Sequence, residues 1–98
     1  LLFPSNQFGF QEPGTSDCAR AYMANRVPGA TTFDIVNVNG AGAHELFEYL
    51  RRETMKGRAI SWNYNKWLID GSTGKVLQHR DSRYDPLKLV PDIDKLLA

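Results

Sequence analysis

Phe3-Pro4-Ser5-Asn6-Gln7-Phe8-Gly9-Phe10-Gln11-Glu12-Pro13-Gly14 reads as the end of an apolar strand running into a loop dense in side-chain amides. Leu1 to Pro4 supplies the strand end, residues 5 to 14 form the loop, and Pro13-Gly14 closes it. Further along, Trp62-Asn63-Tyr64 sets an indole N–H beside another amide. Few soluble domains place so many neutral hydrogen-bond donors in two short, turn-flanked motifs.

The chain around these motifs has 98 residues, enough for one domain over 1–98 with a single modest core. Hydrophobic residues make up 42% and aromatic residues 11%, a globular composition. Twelve Lys and Arg against eleven Asp and Glu leave +1, with no block of like charge. A nucleic-acid partner needs a clustered basic face, so none is expected. No apolar run approaches the ~20 residues of a membrane-spanning helix. The one cysteine, Cys18, excludes an internal disulfide framework and fits a reducing compartment. The two histidines show no metal-ligand spacing, so no metal is expected.

Thr15 or Ser16 caps a helix over about 16–26, ended by Pro28-Gly29. Thr32 to Val38 alternates around Phe33, Ile35 and Val36 and reads as a strand. Asn39-Gly40-Ala41-Gly42 turns into the clearest helix, about 43–54. Ala43, Leu46, Phe47 and Leu50 share one face of it; His44, Glu45, Glu48, Arg51 and Arg52 share the other. Trp67 to Asp70 and Val76 to His79 form a hairpin through Gly71-Ser72-Thr73-Gly74. Pro91 starts a last helix through Leu97.

The stretch from Phe3 to Gly14 resembles the F-P-C-N-Q-F-G-x-Q-E-P-G signature of the glutathione peroxidase family, and Trp62-Asn63-Tyr64 resembles its W-N-F. The resemblance runs from Leu1 to Leu97 and is dense in 3–14, 38–50, 62–70 and 91–97. It implies an α/β, thioredoxin-like mixed sheet flanked by helices, incomplete because the first core strand and helix are absent. It also implies that the peroxide-attacking cysteine or selenocysteine lies in that absent third. In the order so implied, residues 32–38 lie beside the missing central strand, 66–70 lies on its other side, and Leu1 to Pro4 sits one position further out. Unpaired buried backbone groups are rarely tolerated, so another segment or chain is expected to fill the gap.

By the same resemblance, Gln11, Trp62 and Asn63 match the glutamine, tryptophan and asparagine of the family's catalytic tetrad. Peroxide reduction needs an ionised nucleophile and a proton for the leaving hydroxide. A hydrogen bond to a charged group is worth about 1.5–3 kcal/mol, and one pKa unit about 1.36 kcal/mol. Two or three donors therefore carry a cysteine from about 8.5 to well below neutrality. The competing reading makes Trp62 a core anchor and Gln11 and Asn63 loop caps.

Several positions depart from the family pattern. Ser5 stands where F-P-C has a cysteine outside the tetrad. Ala24 stands where thioredoxin-using members carry a resolving cysteine; Cys18 is not at that position and reads as a buried or half-buried side chain. Val38 to His44 resembles the V-N-G-A-G-A-H of animal glutathione-using members, with Glu45 in place of the usual proline, and it lacks the lysine of a phosphate loop. The short linker from Glu53 to Trp62 lacks the insertion of tetrameric members. Arg83 matches one arginine of a glutathione-binding pair whose other member is Ser82 here; otherwise it is a solvated charge.

The resemblance thus implies a peroxidase, a peroxide oxidoreductase acting against oxidative stress, with hydrogen or lipid peroxide as substrate. Glutathione or another thiol is the reducing co-substrate, and no bound cofactor is implied. The chain alone is expected to be inactive. The alternative is a non-catalytic structural subunit of a larger assembly. The expected compartment is cytoplasmic, with mitochondrial as the alternative.

Overall fold

The computed structural model describes residues 1–98, which form two compact units, Leu1–Ser61 and Trp62–Ala98. In the first unit, α1 spans Ser16–Arg26. Thr15 is its N-cap, its hydroxyl accepting from the Cys18 N–H at 3.3 Å. The Val27 N–H closes the last turn on Met23 O at 2.7 Å, just before Pro28-Gly29. Only Ala19 of this helix is buried. Arg20 pairs with Asp17 and Asp34, both well exposed, and such pairs contribute little stability.

The second helix, α2, spans Glu45–Met55. It begins later than the pattern predicts because His44 is its N-cap: Nδ1 accepts the Leu46 N–H at 3.1 Å. Lys56 takes a left-handed conformation at φ 54°, and the Gly57 N–H returns to Arg51 O at 3.0 Å. Phe47 and Leu50, on the predicted apolar face, are buried. Phe47 meets Phe3 edge-on, with centroids 5.2 Å apart, and Phe3 stacks on Phe33 at 4.4 Å. Each such ring pair adds about 0.5–1.5 kcal/mol beyond its buried area. Phe8, Ala19, Val38 and Ile60 complete this core.

The strand predicted over 32–38 is reduced to a single parallel bridge between Leu2 and Thr32. The Leu2 N–H donates to Thr31 O at 2.8 Å, and the Phe33 N–H donates to Leu2 O at 2.9 Å. The ladder then fails for two local reasons. Pro4 has no N–H, and the Ile35 N–H is diverted to Ser16 Oγ at 3.0 Å. Pro4 O accepts from Val36 instead, at 3.0 Å. Direct pairing of 2–4 with 31–36 also removes the gap expected between these segments. There is no empty strand position between them for another polypeptide to fill.

In the second unit, β1 (Lys66–Ile69) and β2 (Val76–Arg80) form the predicted antiparallel hairpin. Trp67 faces His79 across it, rings stacked 4.8 Å apart. Pairing of Leu68 with Gln78 and of Ile69 with Val76 leaves Leu77 as an extra residue, a bulge. Asp70 organises the turn: Oδ1 accepts from the Ser72 N–H at 2.9 Å, and its carbonyl accepts from Gly74 N–H at 2.8 Å. A 3-10 turn, Pro86–Leu89, is capped by Asp85 and leads into α3, Val90–Leu97, with Pro91 in its first turn. Gln78 Nε2 donates to Asp92 Oδ2 at 3.1 Å and so ties β2 to α3.

Candidate functional site

The Gln11 loop belongs to the first unit and is built from its own side chains. Ser5 is buried, and its hydroxyl accepts from the Gln7 N–H at 3.3 Å. The Phe10 N–H donates to Asn6 O at 3.2 Å, and the Glu12 N–H donates to Asn6 Oδ1 at 3.0 Å. Gly9 and Phe10 both have positive φ, 75° and 53°, so the chain reverses sharply here. A left-handed phenylalanine carries a steric cost that the Asn6 bonds help offset. The reversal sends Phe8 into the core and leaves Phe10 84% exposed, with Gln11 exposed beside it.

The amides that look alike in the sequence have different tasks. Asn6 braces the turn. Gln7 Oε1 accepts from the N–H groups of Val38 at 2.6 Å and Asn39 at 2.9 Å, while its Nε2 donates to Asn39 O at 3.0 Å. Asn39 in turn exchanges two 2.8 Å bonds with the backbone of Ile60. In Val38 to His44, Gly40 makes the turn at φ 81°, and the His44 N–H closes it on Asn37 O at 2.8 Å.

Trp62 and Asn63 open the second unit. Trp62 is 47% exposed, so it is not a core anchor. Its carbonyl accepts from Asn65 Nδ2 at 2.7 Å, and the loop passes through Tyr64 at φ 61°. Asn65 Oδ1 lies 2.8 Å from His79 Nε2. A carboxamide oxygen only accepts, so Nε2 carries the proton. Desolvation holds the His79 pKa below its ordinary value, outweighing the opposite pull of Asp81. Asn65 and His79 are absent from the residues the motifs single out. The signal for them is the hairpin register, which sets His79 opposite Trp67, two residues past Asn65.

Arg83 lies in the same unit, exposed, with Nη2 donating to Asp81 Oδ2 at 2.9 Å and its N–H donating to Asp81 Oδ1 at 3.0 Å. The bond to Asp81 raises the Arg83 pKa, and the bond from Arg83 lowers that of Asp81. The Arg83 side chain nevertheless stays open to solvent, so this is a surface pair of little strength. Two further cations bracket a neighbouring ring: the Arg80 guanidinium lies 4.7 Å and Lys88 Nζ 5.8 Å from the Tyr84 centroid.

Cys18 is exposed, contrary to the burial expected of it, because only Ala19 of α1 turns inward. Thr15 Oγ1 lies 3.4 Å from its sulfur, and bonding by Thr15 lowers the thiol pKa. An open cleft of about 460 Å³ lined by Phe3, Arg20, Thr32, Phe33, Asp34, Val36 and His44 contains none of the candidate residues. No cluster of His, Cys, Asp and Glu is placed to hold a metal, and no helix is long and apolar enough to cross a membrane.

No model of a known protein family matches the chain. Individual proteins do. It is 39% identical over 101 residues to the chloroplastic phospholipid hydroperoxide glutathione peroxidase 1 of Arabidopsis thaliana, covering 100% of this chain and 42% of that protein. It is 40% identical over 104 residues to the glutathione peroxidase homolog BsaA of Halalkalibacterium halodurans, covering 99% of this chain and 63% of the relative. The crystal structure of Trgpx in apo form superposes with a TM-score of 0.68 at 32% identity, covering 95% of this chain and 53% of that one. The fold is therefore an incomplete thioredoxin-like α/β fold. The chain spans about half the length of the curated relatives it matches, and along that whole span it is similar to proteins named glutathione peroxidases.

Proposed function

We propose that the chain forms part of a thiol or selenol peroxidase that reduces hydrogen or lipid peroxides and serves the response to oxidative stress. The nucleophile is supplied by a segment outside these 98 residues, and residues 1–98 act as one domain. The observation that carries this reading is similarity along the entire chain to proteins named glutathione peroxidases, several of them named for phospholipid hydroperoxides.

In the reaction so proposed, the thiolate or selenolate attacks one peroxide oxygen. The O–O bond breaks, and the leaving oxygen takes a proton as water or alcohol. The nucleophile is left as a sulfenic or selenenic acid; two thiols of the reductant return it to its starting state, the oxygen leaving as water and the two thiols as a disulfide. Gln11, Trp62 and Asn63 serve as N–H donors to the charged nucleophile. Exposed or half-exposed placement suits this task, because the donors must face a group that is not part of their own core.

Glutathione or another thiol is the proposed reductant, with no bound cofactor. Arg83, whose side chain is exposed beside Asp81, is the proposed binding residue for that reductant. A reducing compartment, cytoplasmic or mitochondrial, fits the single cysteine, although relatives include chloroplastic proteins. The second reading, a non-catalytic subunit, is favoured by one observation: the only thiol, Cys18, lies outside both motifs. Peroxide consumption decides between them. The protein carrying this chain and its nucleophile turns over hydrogen peroxide and phosphatidylcholine hydroperoxide with a thiol reductant, whereas residues 1–98 alone do not. No turnover by the longer protein with either glutathione or thioredoxin would favour the subunit.

A further inference from the structure

We propose that Gln7 and Asn39 are positioning residues that fix the stems of the two donor motifs; this rests on the peroxidase reading above. Each uses its carboxamide as a peptide group would be used in a ladder. Gln7 accepts from Val38 and Asn39 N–H at 2.6 and 2.9 Å and donates to Asn39 O at 3.0 Å. Asn39 accepts from Ile60 N–H and donates to Ile60 O, both at 2.8 Å. Side chains thus stitch three segments, around residues 7, 38–39 and 60, through bonds that span 21 to 32 positions of the chain.

Both stems end close to a motif. Gln7 precedes Gln11 by four residues, and Asn6 braces the turn between them through Phe10 N–H and Glu12 N–H. Ile60 precedes Trp62 by two residues. The anchors are buried: Val38 and Ile60 are only 3% and 4% exposed. Loosening either amide frees a motif stem without removing any donor. Donors that drift from a charged sulfur or selenium leave it less stabilised and its pKa higher, and a displacement of about 1 Å can cost up to about a hundredfold in rate.

The test uses the active protein that carries this chain and its nucleophile. Gln7→Met removes all three Gln7 bonds at similar volume, Gln7→Glu keeps the two acceptor bonds, and Asn39→Leu removes the Ile60 pair. The readouts are the second-order rate constant with hydrogen peroxide and the pH midpoint of that rate, with thermal midpoints recorded beside them. Trp62→Phe, which removes the indole donor, is the reference. Gln7→Met and Asn39→Leu should slow the reaction about ten- to a hundredfold and move the pH midpoint up, with Gln7→Glu recovering part of both. If Met or Leu variants do not fold, a raised midpoint in Gln7→Glu supports the role and an unmoved one overturns it. Parental rates in folded Gln7→Met and Asn39→Leu, with Trp62→Phe slowed, would overturn the positioning role and leave the peroxidase reading intact. A slowed rate at an unmoved pH midpoint would also overturn it. An unslowed Trp62→Phe would sink the donor-site reading itself.

Discussion

Asn65→Ala offers a direct probe of how the Trp62 loop is held. The substitution deletes the 2.7 Å bond to Trp62 O and the 2.8 Å bond to His79 Nε2. The first is exposed and belongs at the low end of the usual range, about 0.5 kcal/mol; the second is part-buried and belongs near 1 kcal/mol. Half-buried His79 can turn its stranded N–H toward water, so little is added for desolvation. The loss is then about 1.5 kcal/mol, or roughly 6–12 °C in melting temperature for a chain of this size. Asn65→Asp separates the two bonds, since it keeps an acceptor for His79 but has no donor for Trp62 O.

The pH dependence gives this prediction its sharper form. In the parent, burial lowers the folded His79 pKa below the unfolded value of about 6.5. The unfolded state therefore binds the proton first, and stability falls as pH drops below about 6.5 toward the folded pKa. A carboxylate at 65 pulls the other way and raises the folded pKa. Asn65→Asp should gain stability as pH falls toward the unfolded pKa, and lose that gain as pH rises through the raised one. Thermal melts between pH 5 and 8, with an NMR titration of His79, measure both effects. An Asn65→Ala melting temperature equal to the parent's, or parallel pH slopes in Asn65→Asp and the parent, would refute the anchoring role of Asn65.

Phe47→Ala removes a ring that is 5% exposed and edge-on to Phe3, and should cost about 3–5 kcal/mol by denaturant titration; a loss below about 1 kcal/mol would mean the core collapses around the gap. Thr15→Ala takes away both the α1 cap and the donor to Cys18, so thiol alkylation should begin at higher pH than in the parent; an unchanged alkylation profile would contradict the Thr15 contribution. Arg83→Ala should raise the apparent KM for glutathione, because the exposed guanidinium is open to a bound carboxylate; an unchanged KM would leave Arg83 a solvated surface charge.

Local chemistry made much of the fold legible. Thr15, the Pro28-Gly29 stop, the apolar face of Phe47 and Leu50, and the Gly71 to Gly74 turn each act over a few residues, and the structure follows them. The strand over 32–38 was not legible, because its fate depends on partners far along the chain. Its alternation is genuine, yet Pro4 cannot donate and Ser16 takes the Ile35 N–H. The amide loop was legible as a cluster of donors but not as a division of labour. Asn6, Gln7 and Gln11 are near neighbours in sequence, and only the distances to Glu12, Val38 and Asn39 separate bracing residues from the exposed one. Cys18 is exposed rather than buried because a helix start with mixed polarity does not say which face turns inward. His79 emerged only with the hairpin register.

In the proposed reaction, Gln11 and Trp62 donate to a peroxide-attacking nucleophile. The second-order rate constant of the active protein with hydrogen peroxide, measured in stopped flow for Gln11→Ala and Trp62→Ala, tests it most directly. Each lost donor to a charged atom costs about 1.5–3 kcal/mol, so each variant should react about ten- to a hundredfold more slowly, with the reductant step little changed. Parental rate constants in both variants would contradict it.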